Sequence, residues 1–151
     1  MYSALDVSRY IIDRCKKKGY GISNLKLQKI LYFVQAEFLV VLNTPCFFES
    51  IEAWESGPVV PEVYQKYKMY CGGNIPSIKP IQSIVIAGGA QKLIYGVVDE
   101  CGKYSESKLT EITHHQSPWK NAVQRRDNTI PNTVIREYFL DWKVKRHTLV
   151  T

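Results

Sequence analysis

Two adjacent histidines, His114 and His115, stand in the run Thr113-His114-His115-Gln116-Ser117-Pro118-Trp119. They invite a reading as metal ligands or acid–base catalysts. Side chains at i and i+1 diverge on a helix, so the pair does not readily share one ion. No third ligand stands at a spacing that completes a zinc site. The four cysteines, Cys15, Cys46, Cys71 and Cys101, are scattered, with no CxxC pair. A cysteine–histidine hydrolase built on Cys71 or Cys101 lacks a nucleophile motif around either. There is no P-loop, no GxGxxG and no HExxH. The expectation is no catalytic residue, no metal and no cofactor. His114 reads as a buried, hydrogen-bonded residue rather than a catalyst.

The elements that would position these residues are mostly helical. Ser3 with Asp6 resembles a capping box and starts a helix that runs to about Lys18. Gly19 to Gly21 form a turn, and Ser23 or Asn24 caps a second helix. Leu27, Leu31, Val34, Phe38 and Val41 repeat at helical spacing, and Phe33, Ala36 and Val40 fill the opposite side. Apolar nearly all round, residues 26–42 predict a central buried helix. Residues 51–54 form a short β-like segment, and Pro61 suits the first turn of a third helix ending at Gly72-Gly73. Residues 77–87, rich in Ile and Val, are a candidate strand to pair with 51–54. Shorter helices are predicted over 91–100, 106–114 and 118–125, with Ser105 and Ser117 as N-caps of the last two. Asn132 caps a final helix that frays after Lys145. The fold class expected is mainly α: one compact helical domain over 1–151, with a central buried helix and a small β-hairpin-like element.

At 151 residues, 45% hydrophobic and 23% charged, the chain is ordinary for a globular protein with a real core. No stretch is apolar for long enough to span a membrane. The N-terminal residues lack a signal-peptide pattern, so a cytoplasmic protein with reduced thiols is expected.

The net charge of +6 is unevenly spread. Residues 1–29 hold seven Lys/Arg and two Asp, whereas residues 30–65 hold five Glu and no Lys or Arg. Lys16, Lys17 and Lys18 suit the C-terminal end of the first helix, where cations complement its dipole. Arg125, Arg126, Arg136, Lys143, Lys145 and Arg146 make the C-terminal region basic but are interleaved with Asp127, Glu137 and Asp141. Nucleic-acid contact by the basic ends is therefore the alternative reading, without a helix-turn-helix to support sequence-specific DNA binding.

Two constellations point to binding. Gln28, Tyr32 and Gln35 form a polar stripe on the central helix. Buried amides need partners, and the neighbouring Gly57-Pro58-Val59-Val60-Pro61 loop is the expected one. The rival is a stripe exposed on the floor of a groove. In that loop Gly57 has conformational freedom, and Pro58 and Pro61 stiffen the chain beyond it. A preordered turn binds at a lower entropy cost. Trp54 beside it is equally readable as core or as an interface anchor.

Three pieces in register carry a family resemblance: residues 26–39 (KLQKILYFVQAEFL), 51–64 (IEAWESGPVVPEVY) and 108–122 (KLTEITHHQSPWKNA). Together they resemble the SocA-like antitoxin, or Panacea, domain of bacterial and phage toxin–antitoxin systems. The matching positions are Lys26, Leu27, Gln28, Leu31, Tyr32 and Gln35, then Glu52, Trp54, Gly57, Pro58, Val59, Pro61 and Tyr64, then Thr113, His114, Pro118 and Trp119. The resemblance implies a non-enzymatic binding protein that neutralises a cognate protein toxin by direct contact. It also implies, for some members, an adaptor role that presents the toxin to a AAA+ protease. Lys26, Gln28, Tyr32, Gln35, Glu52, Trp54, Gly57, Pro58, Val59, Pro61, His114 and Trp119 are the candidate toxin-binding or motif residues. Three departures bear on partner choice: Cys46 where a larger aliphatic residue is common, Glu55-Ser56 where an aromatic is frequent, and His115 at a usually acidic or amide position.

Overall fold

Helix α2, Asn24–Val41, runs through the middle of the protein. Thirteen of its eighteen residues are buried, which only a helix packed on all sides sustains. It emerges toward solvent at its C-terminal end, where Val41 and Leu42 are exposed. Ser23 caps it by accepting a hydrogen bond from the Lys26 amide. The computed structural model describes residues 1–81 and 85–150, with the side chains of 143–150 outside that description.

Around α2 pack α1 (Ala4–Lys18), α4 (Gly88–Cys101) and α7 (Asn132–Val150), with α3 (Pro61–Tyr67) and α5 (Glu106–His114) closing further sides. The first helix starts as its sequence dictates: Ser3 Oγ accepts from the Asp6 amide at 3.1 Å. Glu49 reaches back to accept from the Ala4 amide at 2.9 Å. At the other end Gly19 takes φ 77°, and its amide bonds the last carbonyls of the helix, a left-handed cap that glycine adopts without penalty. Pro61 opens α3, where its missing N–H is no loss.

The sheet is small. Strand β1 (Ile51–Trp54) sits between β2 (Gly57–Val59) and β3 (Thr129–Ile130), both antiparallel to it. Trp54 pairs with Gly57 and Ile51 with Ile130. Gly57 closes the hairpin at φ 121°, a conformation that favours glycine.

The expected partner of residues 51–54 is thus corrected. The 77–87 stretch is not the strand that pairs with β1; β2 and β3 occupy both its edges. The described part of that stretch lies across α1 instead. Ile86 is fully buried, and Ile78 packs half-buried against the core. Tyr10 accepts a hydrogen bond from the Ile86 amide at 3.2 Å. Residues 82–84 lie outside the described residues. A second correction concerns α6, Ser117–Gln124: its N-cap is Gln116, not Ser117. Gln116 offers no side-chain cap because its Oε1 accepts from the Tyr32 hydroxyl at 2.8 Å.

Candidate functional site

The polar stripe of α2 fastens the loops around it. Gln28 Oε1 accepts from the Val60 amide at 2.9 Å, and its Nε2 donates to Asn24 Oδ1 at 3.0 Å. Asn24 in turn donates to the Tyr64 carbonyl at 3.0 Å. One Asn–Gln pair therefore holds the entry to α3 from two sides. Gln35 does the same for the loop after α2. Its Oε1 accepts from the amides of Cys46 (2.8 Å) and Phe47 (3.2 Å), and its Nε2 donates to the Phe47 carbonyl at 3.0 Å. Gln28, Tyr32 and Gln35 are wholly buried. They form no groove floor: Gln28 ties the 57–61 loop, whereas Gln35 holds the 46–47 loop and Tyr32 reaches Gln116.

Lys26 is 7% exposed. Its ammonium donates to the carbonyls of Gly21 (2.8 Å) and Gly102 (2.6 Å), joining the turn before α2 to the end of α4. Burial pushes its pKa below the ordinary lysine value, since desolvation disfavours the charged form. It lies in an open cleft of about 650 Å³, lined also by Tyr20, Lys103, Tyr104 and Glu106.

The β1–α3 face is the part of the motif set that reaches solvent. Along β1, alternate residues point to one side; Ile51 is buried, while Glu52 and Trp54 are half-exposed. Trp54 Nε1 donates to Glu52 Oε1 at 2.9 Å. Its ring meets Tyr64 edge-on, with centroids 5.0 Å apart and planes at 68°, a favoured aromatic geometry. Glu55 and Glu62 are exposed beside it, and Pro61 is half-exposed. Gly57, Pro58 and Val59 are buried; they shape the hairpin from within and offer little surface.

The third motif packs onto this face from behind. Trp119, on α6, donates through Nε1 to the Trp54 carbonyl at 2.7 Å. His114 stacks on Trp119, with centroids 4.1 Å apart and planes at 12°. The expected hydrogen bonding of His114 is corrected: its buried Nε2 has no partner among the described residues. The ring is held by its face, and the Trp119 indole N–H is already committed to Trp54. His115 is exposed, and its Nδ1 lies 2.7 Å from the Glu111 carbonyl.

Three segments distant in sequence thus converge on one hairpin, in the order and with the residues that characterise one family. The model of the family described as Antitoxin SocA-like, Panacea domain matches residues 27–120. The chain belongs to the SocA-like Panacea family. Antitoxin SocA of Caulobacter vibrioides (strain NA1000 / CB15N) is 30% identical over 128 residues, covering 75% of this chain and 66% of that protein. The chain thus spans just under two thirds of this curated relative's length. No solved structure matches.

Within the Panacea frame the three departures fall into place. Cys46 is a fully buried core residue, and burial pushes its thiol up to about 12. Glu55 and His115 are exposed and alter the surface. Lys29, which the family motifs do not single out, is a fully buried cation on α2. Its place beside Leu27 and Ile30 on an all-round apolar helix is the available signal. No helix among the described residues is long and apolar enough to cross a membrane. No group of three or more His, Cys, Asp or Glu side chains among them is placed to hold a metal ion.

Proposed function

We propose that this Panacea protein is an antitoxin that neutralises a cognate protein toxin by direct contact, with the β1–α3 face as the working surface. Membership of the SocA-like family is the observation that carries the antitoxin reading. The choice of surface is supported by the half-exposed Trp54 on a stiff hairpin. A preordered turn loses little entropy on binding, and tryptophan is a frequent interface anchor.

The charge pattern supports a basic toxin face. Residues 30–65 carry five Glu and no Lys or Arg, and Glu52, Glu55 and Glu62 lie on or beside the hairpin. Such a surface steers a positively charged partner toward itself and raises the association rate at low salt.

The test is genetic and then physical. The gene adjacent to this one is expressed alone and together with this chain. Growth arrest that co-expression relieves, with the two proteins copurifying, supports the proposal. Relief without any complex would refute direct contact, and an innocuous neighbour would remove the toxin assignment.

A further inference from the structure

Lys29 carries a charge that the fold does not need for packing. It is fully buried, and its one hydrogen bond among the described residues runs from Nζ to the Leu25 carbonyl, at 3.3 Å. An ammonium has three protons to place, and a buried charge is costly unless well paired. Burial draws its pKa down, and the negative charge of Glu106 only partly offsets this. A residue of similar length without charge would fill the same space without the cost of burying an ammonium.

Its location gives the charge a use. A methyl group built on Gly57 would lie 3.4 Å from Lys29 Cε, 3.8 Å from Nζ and 3.5 Å from Thr113 Oγ1. The lysine head is therefore seated directly beneath the closing residue of the β1–β2 hairpin, which pairs with Trp54. A fixed cation in a medium of low dielectric acts strongly on nearby peptide dipoles. It also underlies a hairpin whose only charged side chains are Glu52 and Glu55.

We propose that Lys29 is a positioning residue for the toxin-binding face: its buried ammonium beneath Gly57 holds the hairpin end in the conformation that presents Trp54. This rests on the antitoxin reading for its consequence in binding, but not for the conformation itself. The account requires that Lys29 trade stability for shape, a cost that proteins accept at functional sites.

The experiment uses Lys29→Met, which keeps the length and removes the charge. Thermal unfolding, hydrogen exchange at the amides of Glu55, Ser56 and Gly57, and calorimetric affinity for the protein encoded by the adjacent gene are measured in both forms. The expected result is a melting temperature unchanged or raised, faster exchange confined to the hairpin end, and affinity lower by about tenfold or more. Equal exchange in the two proteins would overturn the proposal, even if the wild type failed to bind that protein and the antitoxin reading fell. Normal affinity in Lys29→Met would overturn it as well. A collapsed melting temperature would make Lys29 a general structural residue and would also overturn it.

Discussion

The indole of Trp119 donates a 2.7 Å hydrogen bond to the main-chain carbonyl of Trp54, across 65 residues of sequence. This contact joins the third family motif to the second. It explains why Trp119 accompanies Trp54 although it is not on the same element. Trp119 supports the strand that carries Trp54, while His114 stacks on the Trp119 ring.

Trp119→Phe keeps an aromatic ring against His114 and removes one of the hydrogen bonds to the Trp54 carbonyl, which the pairing with Gly57 still engages. Losing one such hydrogen bond costs about 0.5–1.5 kcal/mol. Urea unfolding should show stability lowered by that amount at an unchanged slope. Affinity for the protein encoded by the adjacent gene should fall too, because the strand is less firmly held.

Gln35→Ala removes one side chain and leaves three main-chain groups of Cys46 and Phe47 without their partner. At about 1–3 kcal/mol for each stranded group, this is expected to exceed the cost of Leu31→Ala. Leu31 is fully buried in α2, and a leucine truncated there costs about 2–5 kcal/mol. Chemical unfolding of both variants provides the comparison.

The buried thiols make stability depend on alkaline pH. Burial raises Cys46 from an ordinary 9.0 to about 12. Unfolded Cys46 therefore loses its proton at a lower pH than folded Cys46. Between about 9 and about 12 the native state binds more protons, so this residue's contribution falls as pH rises. At pH 7 Cys46→Ala should be less stable than the wild type. The gap should narrow by about 1.4 kcal/mol per pH unit once pH exceeds about 9. Lys26 and Lys29, drawn below their ordinary values, act with the opposite sign and are common to both proteins. The difference between the two unfolding curves thus isolates Cys46.

The parts legible in the sequence are those with local causes. Ser3, Gly19, Pro61 and Ser105 cap or open helices through bonds within a few residues, and each does so here. The central helix is evident because apolar residues occupy nearly all its sides, with only a narrow polar stripe between them. The sheet is only half evident. Strand β1 needs β2 from the next turn and β3 from residue 129 onward, and no local pattern marks a two-residue strand. The isoleucines of the 77–87 stretch resemble a strand by composition, yet Ile78 and Ile86 enter the core separately. The motif residues are identifiable as a set, but their division into buried ties and exposed surface is not. Gln28 and Gln35 lie inside, and Glu52 and Trp54 reach solvent, through long-range packing that spacing does not encode. Lys29 stays hidden because a lysine on an apolar helix ordinarily marks its solvent side.

The central proposal, that this Panacea protein binds a toxin through the Trp54 face, is tested most directly by Trp54→Ala. Its thermal unfolding and its affinity for the protein encoded by the adjacent gene are measured side by side. The account predicts a melting temperature little changed and binding weakened by about 2 kcal/mol or more. Full affinity in a folded Trp54→Ala protein would contradict it and move the working surface elsewhere. A collapsed melting temperature would show that Trp54 serves the core.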